Sequence, residues 1–373
     1  MENATILKNT QIKQKVNSYN PHGYKLDIYD ELSYGTYLTK ITPKDLELLQ
    51  KTVLHIRPNS INYEDSWGYI IQATRLGGFK WHDHRNGSMI FFGRKSKNNP
   101  TLIVASFFSK PKYLIYVLNL VQRLLKAPKI ILKNVNPQDA TNLISYGFRS
   151  YKKNERWCKE ARFDDQTYPQ LVIELKKLAD KKGNAYKKLR NALNKKPNIS
   201  IKKYHESDKN EVLEIFTLKD EESQNILKKS KGTYYSSHIM YLTSDLDKFV
   251  IIDNETRNIV GFTATSDISP VNTTLVASLF KPGFKIASVW GIYQTLIIKY
   301  HQGFRTINLG GCEKAGSYNF MRRTFQPSEE LIKTHLVINY ETHIQSDKTY
   351  SASKYHDSGN TFQIKSNNFF ELL

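Results

Sequence analysis

The sequence predicts an α/β (α+β) fold made of two similar modules in tandem, joined by a basic linker helix. A segment that begins at Thr101, TLIVASFFSKP, is similar to TLVASLFKP, which begins at Thr274. The residues around both copies alternate between strand-like and helix-like spacing in the same order. A lysine-rich stretch separates the two copies. Together these three observations indicate an internal duplication.

Each copy has the order strand, strand, helix, strand, helix. In the first copy these elements are MIFFGRK, TLIVASFF, YLIYVLNLVQRLLKA, KIILKNV and PQDATNLISYGF. In the second copy they are IVGFTATSDI, TLVASLF, SVWGIYQTLIIKYHQ, RTINLGG and SYNFMRRTF. Matching positions keep a nearly constant offset of 172 residues from Val104 to Val276 and 176 residues from Lys129 to Arg305. We therefore expect leading antiparallel strands and a later strand reached by a helical crossover.

The stretch between the copies is predicted to be helical and strongly basic. Leu171, Leu175 and Leu178 recur at helical spacing, and a second helix is expected from about 185 to 196, ending before a proline. Between positions 176 and 203 the chain has eleven Lys or Arg residues against one acidic residue. This part of the chain is therefore predicted to attract anions.

The 373 residues, 39% of them hydrophobic, are enough for two domains with real cores. The predicted domains are an N-terminal module over 1–165, basic linker helices over 166–200, a C-terminal module that carries the site over 201–340 and a polar extension over 341–373. Two cysteines, Cys158 and Cys312, form neither a disulfide framework nor a zinc pattern, which suits a reducing cytoplasm.

The formal net charge of +20 predicts attraction to nucleic acid, an anionic membrane surface or a phosphate-rich substrate. A compositional bias toward Lys and Asn is the alternative explanation of this charge. No apolar run approaches the roughly 18 residues that a membrane-spanning helix needs, so any membrane contact is expected to be peripheral. No metal site is expected, because His82 and His84 have no third ligand nearby.

The order of elements in each copy resembles the core of the GNAT-type N-acyltransferases. The linker is similar to the helix that leads into the second GNAT module of the phosphatidylglycerol lysyltransferase catalytic domain. The matching residues are Leu178, Lys182, Gly183, Arg190, Asn191 and Asn194. The segment INLGGCEKAGSYNFMRRTFQP resembles the strand, acidic turn and basic helix of that family and of the related Fem peptidyltransferases. Met321 stands where the family usually has a basic residue.

This resemblance implies an acyltransferase that moves an aminoacyl group from a charged tRNA to an amine or hydroxyl acceptor. The acceptor would be a lipid, a peptide or a small molecule, aminoacyl-tRNA would be the donor substrate, and no cofactor is expected. One alternative is an N-acyltransferase that uses acyl-CoA or an acidic acyl-carrier protein, and another is a non-catalytic RNA- or phosphate-binding module. The loops FFSKPKYLIY and LFKPGFKIASVWG lack the glycine pattern that cradles the pyrophosphate of acyl-CoA, which weighs against acyl-CoA.

The candidate site residues cluster at the end of the second copy. Backbone N–H groups of Gly310 and Gly311 can hold an oxyanion, a carboxylate or a phosphate, or can serve a tight turn only. Glu313 can position an amine or accept a proton, or can be a solvated capping acid. The predicted catalytic residues are Glu313, Asn319 and Arg322, and the predicted substrate-binding residues are Gly310, Gly311, Lys281, Tyr318 and Arg323.

The arginines of the last helix can grip phosphates in bidentate fashion, or can lie on a solvated surface. The predicted tRNA-binding residues of the linker are Lys187, Lys188, Arg190 and Lys195. A solvated basic face is again the alternative. The matching place in the first copy, ILKNVNPQDATNLISYGF, lacks the double glycine, the acidic turn and the paired arginines. We therefore predict that the site lies in the second module and that the first module shapes the cleft.

Overall fold

The chain forms two mixed sheets of seven strands in the computed structural model, with helices packed against both. The structure describes residues 37–74, 78–83, 87–94, 101–125, 127–150, 169–195, 197–227, 239–311 and 315–340. Among these residues, no helix combines the length and the apolar character needed to cross a bilayer.

The first sheet takes most of its strands from the N-terminal half of the chain. These strands are β1 (Tyr37–Lys40), β2 (Phe79–Asp83), β3 (Ser88–Arg94), β4 (Thr101–Phe108), β5 (Lys129–Val135) and β6 (Arg149–Ser150). The helices are α1 (Asp45–Ile56), α2 (Trp67–Thr74), α3 (Pro111–Leu125) and α4 (Pro137–Ser145). The strands β1 to β4 pair antiparallel, whereas β4 and β5 pair parallel across the crossover helix α3. This order is the one predicted from the repeat.

The second sheet repeats this arrangement and takes most of its strands from the C-terminal half. Its strands are β7 (Gln170–Glu174), β8 (Ile199–Lys203), β9 (Asp247–Asp253), β10 (Ile259–Asp267), β11 (Asn272–Phe280), β12 (Thr306–Asn308) and β13 (Glu329–Leu331). The helices are α5 (Leu175–Asp180), α6 (Lys187–Asn194), α7 (Lys209–Leu227), α8 (Lys285–His301) and α9 (Ala315–Phe325). As in the first sheet, β11 and β12 pair parallel across a crossover helix, here α8.

The two sheets exchange strands. The last strand, β14 (Thr334–Asn339), lies in the first sheet between β5 and β6, where Val337 faces Ile131 on one side and Arg149 on the other. In return, β7 lies in the second sheet between β12 and β13. Each sheet is therefore completed by a strand from the other half of the chain.

The linker differs from the prediction, and a single basic linker helix is not confirmed. Leu171 lies in the strand β7, whereas the spacing of the three leucines predicted a helix. The helix starts only at Leu175, and it is followed by a short 3-10 turn and by α6. The residues 170–173 are all buried, as expected for a central strand, and a short apolar run of this kind fits helix and strand equally well.

The modules share one hydrophobic core. Phe91 and Phe108 of the first sheet belong to the same buried cluster as Phe262 and Val276 of the second. Gly68 of α2 packs so tightly that an added Cβ would stand 2.8 Å from the Val276 side chain. Further clusters lie on the outer side of each sheet, under α3 and α8 respectively. Burial of large apolar side chains on both sides of the shared core holds the two sheets together.

Both sheets open where their parallel strands diverge. The pairing of β4 with β5 is confined to residues 101–104 and 129–132, although both strands continue beyond it. The pairing of β11 with β12 is confined to residues 272–274 and 306–308. Beyond these points the two strands no longer form hydrogen bonds with each other. Polar backbone groups and side chains can therefore converge at each opening.

Candidate functional site

A small polar cavity, partly open to solvent, lies at the opening between β4 and β5. Three segments distant in sequence line it: the loop after α1, the strand ends with the start of α4, and the turn before β14. Its ionisable side chains are Arg57, Glu64, Asp65, Lys133, Asp139 and Lys333. The cavity therefore brings together three cations and three anions inside the protein, a combination typical of a functional site.

Glu64 is the most deeply placed acid of this cavity. It sits in the 3-10 turn Tyr63–Asp65 and is only 4% exposed. Its Oε1 accepts a hydrogen bond from Gln170 Nε2, whereas Oε2 has no hydrogen-bond donor and lies 3.6 Å from Lys333 Nζ. Burial raises the pKa of the Glu64 carboxyl above its ordinary value, and the charge of Lys333 opposes that rise. A carboxyl in such surroundings is suited to hydrogen bonding or proton transfer.

Asn134 presents a second unpaired acceptor to the cavity. It has a positive φ of 57°, a conformation that asparagine adopts more readily than most residues. Its Nδ2 donates to the hydroxyl of Tyr69 at 3.0 Å, while its buried Oδ1 has no hydrogen-bond partner among the described residues. Buried polar atoms without partners are rare, and they are costly unless a ligand or water reaches them.

His335 holds the backbone next to this asparagine. The Asn134 N–H donates to His335 Nδ1 at 3.1 Å, so this ring nitrogen is the unprotonated one. Burial, with a smaller contribution from the charge of Lys133, lowers the pKa of His335 from 6.5 to about 3. The imidazole is therefore neutral at physiological pH. Because His335 belongs to β14, the exchanged strand fixes the geometry of the cavity.

Arg57 bridges two acids of the cavity. Its guanidinium lies 3.4 Å from Asp65 and 3.4 Å from Asp139, and it stacks 5.2 Å from the centre of the Phe108 ring. The Asp139 backbone N–H is capped by the Asn136 side chain at 2.8 Å, which fixes the start of α4. Arg57 is thus held by partners on the rim of the cavity.

A chain of buried amides links the cavity to the second sheet. Asn308 Nδ2 donates to Gln170 Oε1 at 2.9 Å, and Gln170 in turn donates to Glu64. Asn308 Oδ1 accepts the backbone N–H of Gly310 at 2.8 Å. The N–H of Gly310, predicted to hold an oxyanion, is therefore engaged within the protein. Gly310 has a φ of 72°, and the Tyr63 ring lies against it.

The predicted residues of the last helix lie on the surface. Asn319, Arg322 and Arg323 are all exposed. The Arg322 guanidinium pairs with Glu330 of β13 at 2.5 Å, and the Tyr318 hydroxyl also donates to that carboxylate. Glu330 therefore organises this end of α9.

Other predicted residues lie apart from the cavity. Lys281, at the end of β11, pairs with Glu214 of α7 at 2.9 Å. Gly311 follows Gly310 at the end of the described strand segment, and Glu313 lies outside the described residues. None of the predicted catalytic or substrate-binding residues that the structure describes lines the cavity between β4 and β5.

The predicted tRNA-binding residues lie on or beside α6. Lys187 and Lys195 are exposed, and Lys188 Nζ stands 5.0 Å from the centre of the Phe320 ring of α9. Arg190 donates to the carbonyl oxygens of Lys181 and Gly183 at 2.5 and 2.8 Å, so it also closes the turn before the helix. The contact between Lys188 and Phe320 places α6 of the basic linker against α9.

The cavity of the first module was not predicted from the sequence. The segment KNVNPQD, which lacked the glycines and arginines of the second copy, supplies Lys133, Asn134 and Asp139 to it. The remaining charged residues come from the loop after α1 and the turn before β14, neither of which belongs to the repeat. An Asn-x-Asn-Pro sequence at a strand end was the available signal, since Asn tolerates positive φ and caps helices. Among the described residues, no group of three His, Cys, Asp or Glu side chains could hold a metal ion.

Comparison with known proteins supports the fold. No protein-family model matches the chain, and no curated protein matches its sequence. A conserved protein of unknown function from Bacteroides thetaiotaomicron VPI-5482 superposes with a TM-score of 0.61 at 13% identity, covering 81% of this chain and 98% of that protein. L-PGS from Bacillus licheniformis superposes with a TM-score of 0.53 at 13% identity, covering 80% and 93%.

FemX superposes with a TM-score of 0.53 at 11% identity, covering 81% of this chain and 96% of its own. Identities this low show a common fold and nothing finer. The strand order of both sheets and these superpositions agree with the fold predicted from the repeat. The chain therefore has the fold of two tandem GNAT-like modules, similar to that of L-PGS and FemX.

Proposed function

We propose that this protein is an aminoacyltransferase that moves an aminoacyl group from a charged tRNA to an amine or hydroxyl acceptor. The observation that carries the proposal is the contact between Lys188 of the linker and Phe320 of α9. It joins the two basic segments on which the family resemblance rests. The fold likeness to L-PGS and FemX supports transferase chemistry on this scaffold.

The joined surface has the properties that a phosphate backbone requires. We name it the basic face and define it by Lys187, Lys188, Lys195 and Arg323, all of which are exposed. Exposed lysines and arginines neutralise phosphates and release counterions, which gives binding without sequence readout. The base-paired arms of tRNA would supply such phosphates over a long distance. The acyl donor would thus be held by its RNA part, and the ester itself is already activated for transfer.

The first experiment measures turnover. The pure protein is incubated with individual aminoacyl-tRNAs and candidate acceptors that include primary amines, alcohols and anionic lipid vesicles, and the loss of the ester is followed. We expect acceleration for at least one charged tRNA. If no aminoacyl-tRNA loses its ester faster than in buffer with any of these acceptors, the proposal is wrong.

The second experiment tests the basic face itself. Lys187→Glu, Lys195→Glu and Arg323→Glu should each weaken tRNA binding and reduce the salt slope of the affinity by about one unit. Lys44→Glu is the matched control, because Lys44 is an exposed lysine of the first module at the start of α1. If Lys44→Glu lowers the tRNA affinity as much as the three variants do, the basic face is not the tRNA-binding surface. Binding of an acidic acyl-carrier protein in place of tRNA would identify that protein as the donor.

A further inference from the structure

The cavity between β4 and β5 contains two buried acceptor oxygens that lack donors. Glu64 Oε2 and Asn134 Oδ1 have no hydrogen-bond partner among the described residues, and the two side chains are 4% and 5% exposed. Both residues line the cavity. Leaving a buried polar atom unpaired destabilises a fold by about 1–3 kcal/mol, so two such atoms on residues that line one cavity point to a bound group that donates hydrogen bonds.

None of the three cations that line the cavity donates a hydrogen bond to these two oxygens. Lys333 Nζ donates to Asn62 Oδ1 at 2.5 Å and lies 3.6 Å from Glu64 Oε2, which is beyond hydrogen-bond length. Arg57 is directed to Asp65 and Asp139. A ligand must therefore bring its own donors. An anion would bring acceptors and would leave both oxygens unpaired.

We infer that this cavity is a binding site for a primary amine, whose N–H groups donate to Glu64 Oε2 and Asn134 Oδ1. A hydroxyl group has one hydrogen to donate, whereas a primary amine has two or three, which is enough for one donor to each oxygen. A quaternary ammonium carries the charge but has no N–H group. The number of donors therefore separates the primary amine from the other two classes.

The position of the site suggests what the amine does. Gln170 and Asn308 connect Glu64 to the backbone of Gly310 in the second module. A group bound at Glu64 thus lies at the junction of the two modules, and two side chains connect it to the turn singled out from the sequence. The amine is accordingly the acyl acceptor, and this role, unlike the binding, rests on the proposed function.

The binding experiment uses the full chain without tRNA. Ethylamine, ethanol and tetramethylammonium are titrated separately and followed by saturation-transfer NMR, with inorganic phosphate as a fourth ligand. We expect saturable binding of ethylamine and weaker or no binding of the other three. Preference for phosphate would identify an anion site, preference for tetramethylammonium would identify a site for charge alone, and no saturable binding would show that only water enters. Each of these three results would overturn the inference.

Two variants locate the binding in the cavity. Glu64→Gln keeps the shape and the Gln170 contact but removes the carboxylate, and ethylamine affinity should fall about tenfold or more, since hydrogen bonds to charged groups are the stronger ones. Asn134→Gly removes the second acceptor, and glycine adopts the positive φ at this position without strain. This variant provides an independent test if Glu64→Gln fails to fold. Unchanged affinity in a folded variant of either residue would contradict the inference.

The matched control removes a buried unpaired oxygen elsewhere. Thr265 in β10 is 1% exposed, its Oγ1 is unpaired in the described structure, and it does not line the cavity. Thr265→Val should leave ethylamine binding unchanged. The outcome also separates the two proposals. Ethylamine binding that depends on Glu64 without any tRNA turnover would leave the amine site standing, whereas turnover with no effect of Glu64→Gln on binding would remove only the amine site.

Discussion

The two sheets have the same strand order, yet the openings between their parallel strands have different contents. The opening of the first sheet is lined by six ionisable side chains. At the opening of the second sheet, the Ile61 carbonyl accepts a hydrogen bond from Asn308 at 2.8 Å. The ring of Tyr63 lies against Gly310 at the same place. One loop thus covers the second opening and contributes Glu64 to the first.

The difference shows that duplication repeats a backbone but does not repeat a site. The strands that diverge are provided by the repeat itself, and they give two equivalent openings. Four of the six ionisable side chains at the first opening come from the loop after α1 and from the turn before β14, which lie outside the matching segments. The other two, Lys133 and Asp139, belong to the first copy and have no counterpart in the second. A shared loop, an exchanged pair of strands and a shared core therefore make the two modules depend on each other.

The strongest test of this dependence breaks the exchanged strands. Val337→Pro removes a backbone donor and introduces a ring into β14 between β5 and β6, and Val172→Pro does the same to β7 between β12 and β13. We expect either change to abolish cooperative folding of both modules, a loss comparable to the whole stability of a domain, about 5–15 kcal/mol.

Circular dichroism and urea unfolding measure this loss. Lys203→Pro is the control, because Lys203 is the exposed last residue of the edge strand β8, where proline is tolerated best. If Val337→Pro leaves the second module folded with an unchanged urea midpoint, the two modules fold independently of each other.

The next largest effect is a pH dependence that originates in β14. The folded pKa of His335 is lowered from 6.5 to about 3 by burial and by Lys133, so the unfolded chain binds a proton that the folded chain does not. Stability is therefore complete above pH 6.5 and is lost as the pH falls toward 3. The total loss from this residue is about 5 kcal/mol, of which about 2 kcal/mol appears by pH 5.

Urea unfolding of the wild type and of His335→Gln at pH 7.5, 6 and 5 isolates this contribution. The wild type should lose more stability than the variant over that range, because glutamine does not titrate. Equal losses in the two proteins would show that His335 is not buried in its neutral form.

The sequence predicted the repeat better than it predicted the site. The order of elements in both modules followed from their spacing, because each strand and helix buries its apolar side on its own sheet. The exchange of β7 and β14 could not be predicted, since a short apolar run such as 170–173 fits a helix or a strand and contains no information on its partner. The cavity was missed for a related reason. Arg57, Glu64 and Lys333 meet only after the modules have packed together.

A smaller effect concerns the contact between the two modules at Gly310. Gly310 has a φ of 72°, and a Cβ added to it would stand 3.2 Å from the Tyr63 ring. Gly310→Ala therefore combines backbone strain with a steric conflict. Gly303→Ala is the matched control, because Gly303 has a φ of 97° and open space around the same position. Strain alone costs about 1–2 kcal/mol, so Gly310→Ala should lose roughly 1 kcal/mol more than the control in urea unfolding. A Tyr63→Leu background should remove that excess, and an excess that persists there would exclude Tyr63 as its cause.

The smallest expected effect is on the surface of α9, where the second module differs from α4 of the first. Arg322 and Glu330 form an exposed pair, so Arg322→Ala should lower the stability only slightly, and less in high salt. Arg323→Ala is the control, because Arg323 makes no ion pair with the described residues. Arg322 lies outside the basic face. If bound tRNA also reaches Arg322, Arg322→Ala should weaken that binding while Glu330→Gln strengthens it, since the second change frees the guanidinium for phosphate. Parallel changes in both variants would show that the pair stabilises β13 against α9 and that Arg322 has no part in holding RNA.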